Sequence, residues 1–195
     1  MTTTYSKREN AFEKGEHVWS VEDDCLIWTQ PSGDSLTLLW KDVGAVRAAF
    51  TPSRLKRWRH VFELTTRKGS RLLIDNGHFR TVGDFEDRSV TFIPFVLACL
   101  DRVIAHAPDA KASVGDSPGS YLAQLAFAGS MLALMVYVLI VLPTPMGWLI
   151  ILKLLLIAAM IPLAIRWAIR SRPRKAPLTV SGLLPGLPGL AGNWP

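Results

Sequence analysis

Apolar and polar positions alternate with period two through much of the first half of the chain. His17–Val21 and Cys25–Gln30 flank the acidic turn Glu22-Asp23-Asp24, and Pro31-Ser32-Gly33-Asp34 makes a second turn. Leu36, Leu38 and Trp40 then alternate with Ser35, Thr37 and Leu39, and Val46, Ala48 and Phe50 continue the period. His60–Thr66 mixes β-branched and aromatic residues, Arg67-Lys68-Gly69-Ser70 has hairpin-turn composition, and Arg71–Asp75 completes the run. Residues 16–75 are therefore expected to be short strands, with residues 1–11 as an N-terminal extension.

After a polar stretch from Asn76 to Ser89 the period changes. Phe92, Phe95, Val96, Cys99, Leu100, Val103 and Ile104 fall on one face of a helix. Pro94 fits if it lies in the first turn, and the helix should stop before Pro108. Residues 109–120 have the composition of a linker.

Alternation then gives way to unbroken apolar runs. Tyr121–Leu142 holds 22 residues without a charge, interrupted only by Gln124, Gly129 and Ser130. As a helix it would be about 33 Å long, against roughly 30 Å of bilayer hydrocarbon. Pro143-Thr144-Pro145 breaks it, and a second run, Met146–Trp167, contains Lys153 and Pro162. Two helices so closely joined form an antiparallel hairpin over residues 121–170. The last stretch, 171–195, is first basic and then rich in Pro, Gly and Leu.

Charge distribution supports that division. The net charge is +6, yet residues 1–118 carry 16 Lys+Arg against 16 Asp+Glu. The excess comes from Lys153, Arg166, Arg170, Arg172, Arg174 and Lys175, with no acid after Asp116. A neutral domain followed by an apolar segment with a basic end has the charge pattern of a membrane anchor, and no nucleic-acid partner is expected. Lys and Arg flank the hairpin on both outer sides and are missing from its turn, which predicts that both termini are cytoplasmic. The charged first twenty residues do not resemble a signal peptide. Cys25 and Cys99 would then be plain thiols in a reducing compartment.

Chemistry-bearing patterns are few. His17, His60, His78 and His106 have no metal spacing, and there is no phosphate-cradling glycine loop or nucleophile elbow. Asp84, Glu86 and Asp87 are close enough for acid–base work or for capping the helix that follows. No catalytic residue, cofactor, metal or small-molecule substrate is assigned, and the chain reads as a non-enzyme. The concentrated surface feature is Arg54-Leu55-Lys56-Arg57-Trp58-Arg59, expected as an inter-strand loop. Its cations could engage anionic headgroups or an anionic partner, with Trp58 at headgroup level, or could pair with the domain's own acids. In the second span Lys153 either snorkels to the outer headgroups or acts as an intramembrane charge, with Tyr137 as its local candidate partner. Ala126 and Ser130, and Gly129 and Ala133, are small residues four apart that allow close helix approach within the hairpin or between copies. The tail's leucines suit either a loose end or an extended segment laid along a partner.

Several strands followed by one amphipathic helix is the element order of a pleckstrin-homology-like barrel. Leu38-Leu39-Trp40-Lys41-Asp42-Val43-Gly44-Ala45-Val46 resembles the strand-to-strand turn common in bacterial pleckstrin-homology-like proteins. Phe85-Glu86-Asp87-Arg88-Ser89, with Phe92 and Phe95, resembles the lead-in to the terminal helix of membrane-anchored members of that type. The resemblance covers roughly residues 12–107 and implies an α+β fold: a barrel or sandwich over 12–108 capped by its C-terminal helix, then an all-α transmembrane hairpin. It also implies a multi-pass protein of the bacterial inner membrane. The function expected is that of a membrane-anchored adaptor or accessory subunit, binding a partner protein, a second copy or anionic lipid. The alternative is a transport accessory or small oligomeric pore using Lys153.

Overall fold

Turn chemistry sets the strand order at the front of the chain. The computed structural model describes residues 3–141 and 147–187. The fold is α+β, in two units: one formed by residues 1–115 and 174–195, the other by residues 116–173.

In the first unit, β1 (Thr3–Lys7), β2 (His17–Val21), β3 (Cys25–Thr29) and β4 (Ser35–Leu39) form an antiparallel sheet in sequence order. Gly33, at φ +93°, supplies the left-handed residue of the turn between β3 and β4. β5 (Val43–Phe50), β6 (His60–Thr66) and β7 (Arg71–Asp75) form a second antiparallel set, and Gly69, at φ +91°, closes the hairpin between β6 and β7. β8 (Gly77–Thr81) and β9 (Asp84–Asp87) make a separate two-stranded hairpin. Among the described residues no sheet closes on itself.

Helix α1 (Ser89–His106) lays the expected apolar face, Phe92, Phe95, Val96, Cys99, Leu100 and Val103, into a core shared with both larger sheets. Tyr5 of β1 stacks on Trp19 (5.8 Å) and Phe95 (5.5 Å) and meets Phe92 edge-on (5.3 Å). Trp40 is fully buried, its indole N–H donating to the Glu22 carbonyl at 3.1 Å.

Four local expectations change. Residues 1–11 are more than an extension: Thr3–Lys7 is a strand, because pairing with β2 turns Tyr5 into the core. The polar stretch 76–89 contains the β8–β9 hairpin. Pro94 lies beyond the first turn of α1, which begins at Ser89. The carbonyl of Val90, which would have received its amide, belongs to a residue 86% exposed, where water can serve it. The linker contains β10 (Lys111–Val114), parallel to β5, with Ala110 and Ala112 buried.

The C-terminal segment is the largest change. β11 (Arg174–Ala176) pairs antiparallel with β10, giving the order β11-β10-β5-β6-β7. A short helix, α4 (Val180–Leu183), follows, and Leu183 and Leu187 are buried in the core. Part of the tail thus lies along this chain's own domain. The rest, 188–195, is outside the described residues.

The second unit is helical: α2 (Pro118–Val141) and α3 (Gly147–Ser171) pack against each other. Among the described residues two helices are long and apolar enough to cross a membrane, Ser89–His106 and Pro118–Val138. The first is α1, whose apolar face fills the core, whereas none of the second is buried. In α2 the polar interruptions are bonded within the helix: Gln124 Nε2 donates to Ser120 Oγ (3.0 Å) and the Ser130 hydroxyl to the Ala126 carbonyl (2.9 Å). The expected turn at Pro143-Thr144-Pro145 is outside the described residues.

Candidate functional site

The basic loop, residues 51–59, leaves β5 after Phe50 and enters β6 at His60. Its own hydrogen bonds brace it. Thr51 N–H donates to the Arg59 carbonyl (2.9 Å), Ser53 N–H to the Lys56 carbonyl (3.0 Å), and Lys56 N–H to Ser53 Oγ (3.1 Å).

The four cations divide into two kinds. Lys56 and Arg59 turn inward to Asp75 at the end of β7: Arg59 Nε donates to Oδ2 at 2.7 Å, and Lys56 Nζ stands 3.8 Å from it. Lys7 of β1, itself buried, reaches Oδ1 at 2.6 Å. Lys56 Nζ also sits 4.0 Å from the ring centre of Phe85. Burial alone would raise the Asp75 carboxyl, but Lys7, Lys56 and Arg59 hold it below its ordinary value. Burial pushes the Lys56 amine down, against the attraction of Asp75. Arg54 and Arg57 point outward, without an ion pair among the described residues. Trp58 is half-buried, and its carbonyl accepts from Asn76 Nδ2 at 3.1 Å.

Asn76, fully buried, ties the loop to the start of α1. Its Oδ1 accepts the His60 N–H (2.8 Å), while Nδ2 also donates to Asp87 Oδ1 (2.9 Å) and lies 2.7 Å from Ser89 Oγ. Asp87 accepts the N–H and hydroxyl of Ser89 at the helix start. Glu86 pairs with Arg80 at 3.0 Å, and Asp84 stays at the start of β9. The three acids of this segment are thus not gathered on one reacting point.

Strand register locates the loop. β10 runs parallel to β5 with Val114 opposite Ala48, and Gly115 N–H donates to the Ala48 carbonyl (3.1 Å). Arg47 secures the same point, donating to the Gly115 carbonyl (2.9 Å) and pairing with Glu63 (2.5 Å). Arg174 of β11 stands opposite Val114. The chain therefore leaves this unit and returns to it beside Ala48, two residues before Phe50 and the basic loop. Sequence reading found the loop but could not see this coincidence, because the parallel β5–β10 pairing joins segments some sixty residues apart.

Glu9, Glu13 and His17 offer ligand atoms within 4.8 Å of one another, a metal-like cluster. Its hydrogen bonding argues against a metal. Trp28 Nε1–H donates to His17 Nδ1 (3.0 Å), so the neutral ring carries its proton on Nε2, which faces Glu13 at 3.1 Å. Glu9 is paired with Lys7 at 3.1 Å.

Of the pair expected to lie within the membrane, Tyr137 lies on α2 and is 63% exposed. Lys153 belongs to α3, but its side chain is outside what is described, so the expected Lys153–Tyr137 contact is not resolved either way. No family model matches the chain, and no match is found among curated proteins.

Proposed function

We propose that this is a non-enzymatic, membrane-anchored adaptor. Its sheet-built unit is a pleckstrin-homology-like module that engages anionic lipid headgroups, and a partner protein held among them, at the inner face of a bacterial membrane. Helices α2 and α3 are its transmembrane hairpin. The observation carrying this reading is that the basic loop springs from the same end of the β5–β6 pair at which Gly115 departs toward α2 and Arg174 returns from α3. An anionic leaflet attracts cations within about a Debye length, roughly 1 kcal/mol for each, so a basic loop gains most at the end tethered to the bilayer. Arg54 and Arg57 are the cations free to act in this way. Lys56 and Arg59 hold the loop in place through Asp75.

Fractionation of cells followed by detergent extraction tests the proposal. The full chain should remain in the membrane pellet, leave it only with detergent, and retain anionic lipid in proportion to Arg54 and Arg57. Recovery as a folded monomer in the detergent-free supernatant would refute it. Should Lys153→Leu abolish function while Arg54→Gln with Arg57→Gln leaves it intact, the transport reading replaces the adaptor.

A further inference from the structure

Two large apolar side chains are exposed on loops of the first unit whose roots approach each other. Phe12 is 96% exposed and Leu55 is 58% exposed. Phe12 sits in the β1–β2 loop, and that loop is held firmly. Asn10 Oδ1 accepts the N–H groups of Phe12 (2.9 Å) and Glu13 (3.2 Å), while Arg8 donates to the carbonyls of Asn10 (3.1 Å) and Ala11 (3.0 Å). A braced loop that keeps a phenylalanine in water forgoes burial that the neighbouring aromatic core could provide.

The roots of this loop and of the basic loop meet. Arg8 lies over Phe79 (5.4 Å), Lys56 lies over Phe85 (4.0 Å), and the two rings touch edge to face at 5.7 Å. Lys7 and Lys56 converge on Asp75 as well. The acids of the β1–β2 loop are turned onto partners within the unit: Glu9 to Lys7, Glu13 to His17, Glu16 to Arg88. Lys14, beside Phe12, is exposed, as are Arg54 and Arg57 around Leu55. Each apolar tip therefore stands next to outward cations.

The geometry points to Phe12 and Leu55 as interfacial anchors that enter the headgroup–acyl boundary of an anionic bilayer while Lys14, Arg54 and Arg57 rest among the phosphates. This deepens the lipid-binding reading and depends on it. Charge complementarity selects the occupant: isolated apolar tips beside outward cations suit an anionic lipid surface, whereas a folded partner would need a continuous apolar patch.

The test uses the full chain with Cys25→Ser, Cys99 being wholly buried, reconstituted into vesicles. An environment-sensitive fluorophore is attached in turn at Phe12→Cys, Leu55→Cys and, as control, Lys68→Cys in the turn between β6 and β7. In phosphatidylcholine–phosphatidylglycerol vesicles containing brominated acyl chains, the first two probes should shift to the blue. They should also be quenched at least about twofold more than the control. A parallel titration of the detergent-solubilised chain with short-chain phosphatidylglycerol follows the emission change lost in Trp58→Phe. If that titration responds while positions 12 and 55 behave like 68, the anchor assignment falls and lipid binding by the loop stands. If neither responds, both fall.

Discussion

Asp75 shows how a single residue decides what a charged loop can do. Three cations converge on it, and Lys7 among them is almost wholly buried. Removing the anion would leave Lys7 in low dielectric with only the half-exposed Glu9 beside it, a change of the kind that costs about 3–5 kcal/mol. Asp75→Asn should lower the denaturation midpoint of the solubilised chain accordingly and loosen residues 51–59, seen as faster proteolysis there. Acid should act in the same direction. The folded-state carboxyl is held below its ordinary value, so its stabilising contribution is complete above that value and disappears as pH falls through the depressed one. A titration of stability between neutral pH and about pH 2 should show a larger loss in the native chain than in Asp75→Asn, where Glu16, also held below its ordinary value, still contributes. The run of basic residues was plain in the sequence. Which of them face outward was not, because the deciding partners, Lys7 and Asp75, lie on other strands.

At the level of elements, the hairpins were legible and the long-range pairings were not. Pro31–Asp34, Arg67–Ser70 and the helical face from Phe92 to Val103 are written in neighbouring residues, and each is found. Ala110, Ala112 and Val114 also alternate, but their small side chains and the flanking Gly and Ser read equally well as a linker. Only pairing with β5 on one side and β11 on the other makes that segment a strand. The tail is the sharper case. Gly186 approaches β5 so closely that an added Cβ would run into the Ala48 carbonyl oxygen. Gly186→Ala should therefore dislodge the segment, and Leu183→Ala, which empties a core site, should cost about 2–5 kcal/mol. Both should expose residues 174–187 to protease. His60 gives the same contact a pH dependence. It is buried and hydrogen-bonded to the Gly186 backbone, and burial holds its ring below the ordinary value of 6.5 despite Asp87. Its contribution is complete above that value and is lost as pH falls through the depressed folded-state value, because the unfolded chain takes up the proton more readily. Protease sensitivity of the tail should rise below about pH 6 in the native chain. His60→Asn should flatten that part of the profile.

For the whole molecule, the β10–β11 pair constrains how the chain can cross a bilayer. Val114 lies opposite Arg174 in one ladder, yet nearly sixty residues separate them in sequence, among them the mostly apolar helices α2 and α3. If the helical unit crosses a bilayer, as proposed, both of its ends must emerge on the same side, so the number of crossings is even. Two helices of 24 and 25 residues are each long enough for one crossing, which makes two the number that satisfies the pairing. A single crossing by α2, with α3 lying on the far surface, would tear β11 from β10 and pull Leu183 and Leu187 out of the core. On the proposed reading, the positive residues beyond α3 put the shared side in the cytoplasm. Impermeant maleimide added to intact spheroplasts should therefore label Val141→Cys, at the last residue of α2, and spare Lys68→Cys until the membrane is permeabilised. If Lys68→Cys labels from outside while Val141→Cys is spared, the assigned orientation is reversed; if the two positions label alike, the helices do not cross. If Arg172→Cys labels with Val141→Cys while Lys68→Cys stays protected, the strand pairing that joins the two ends does not survive in the membrane.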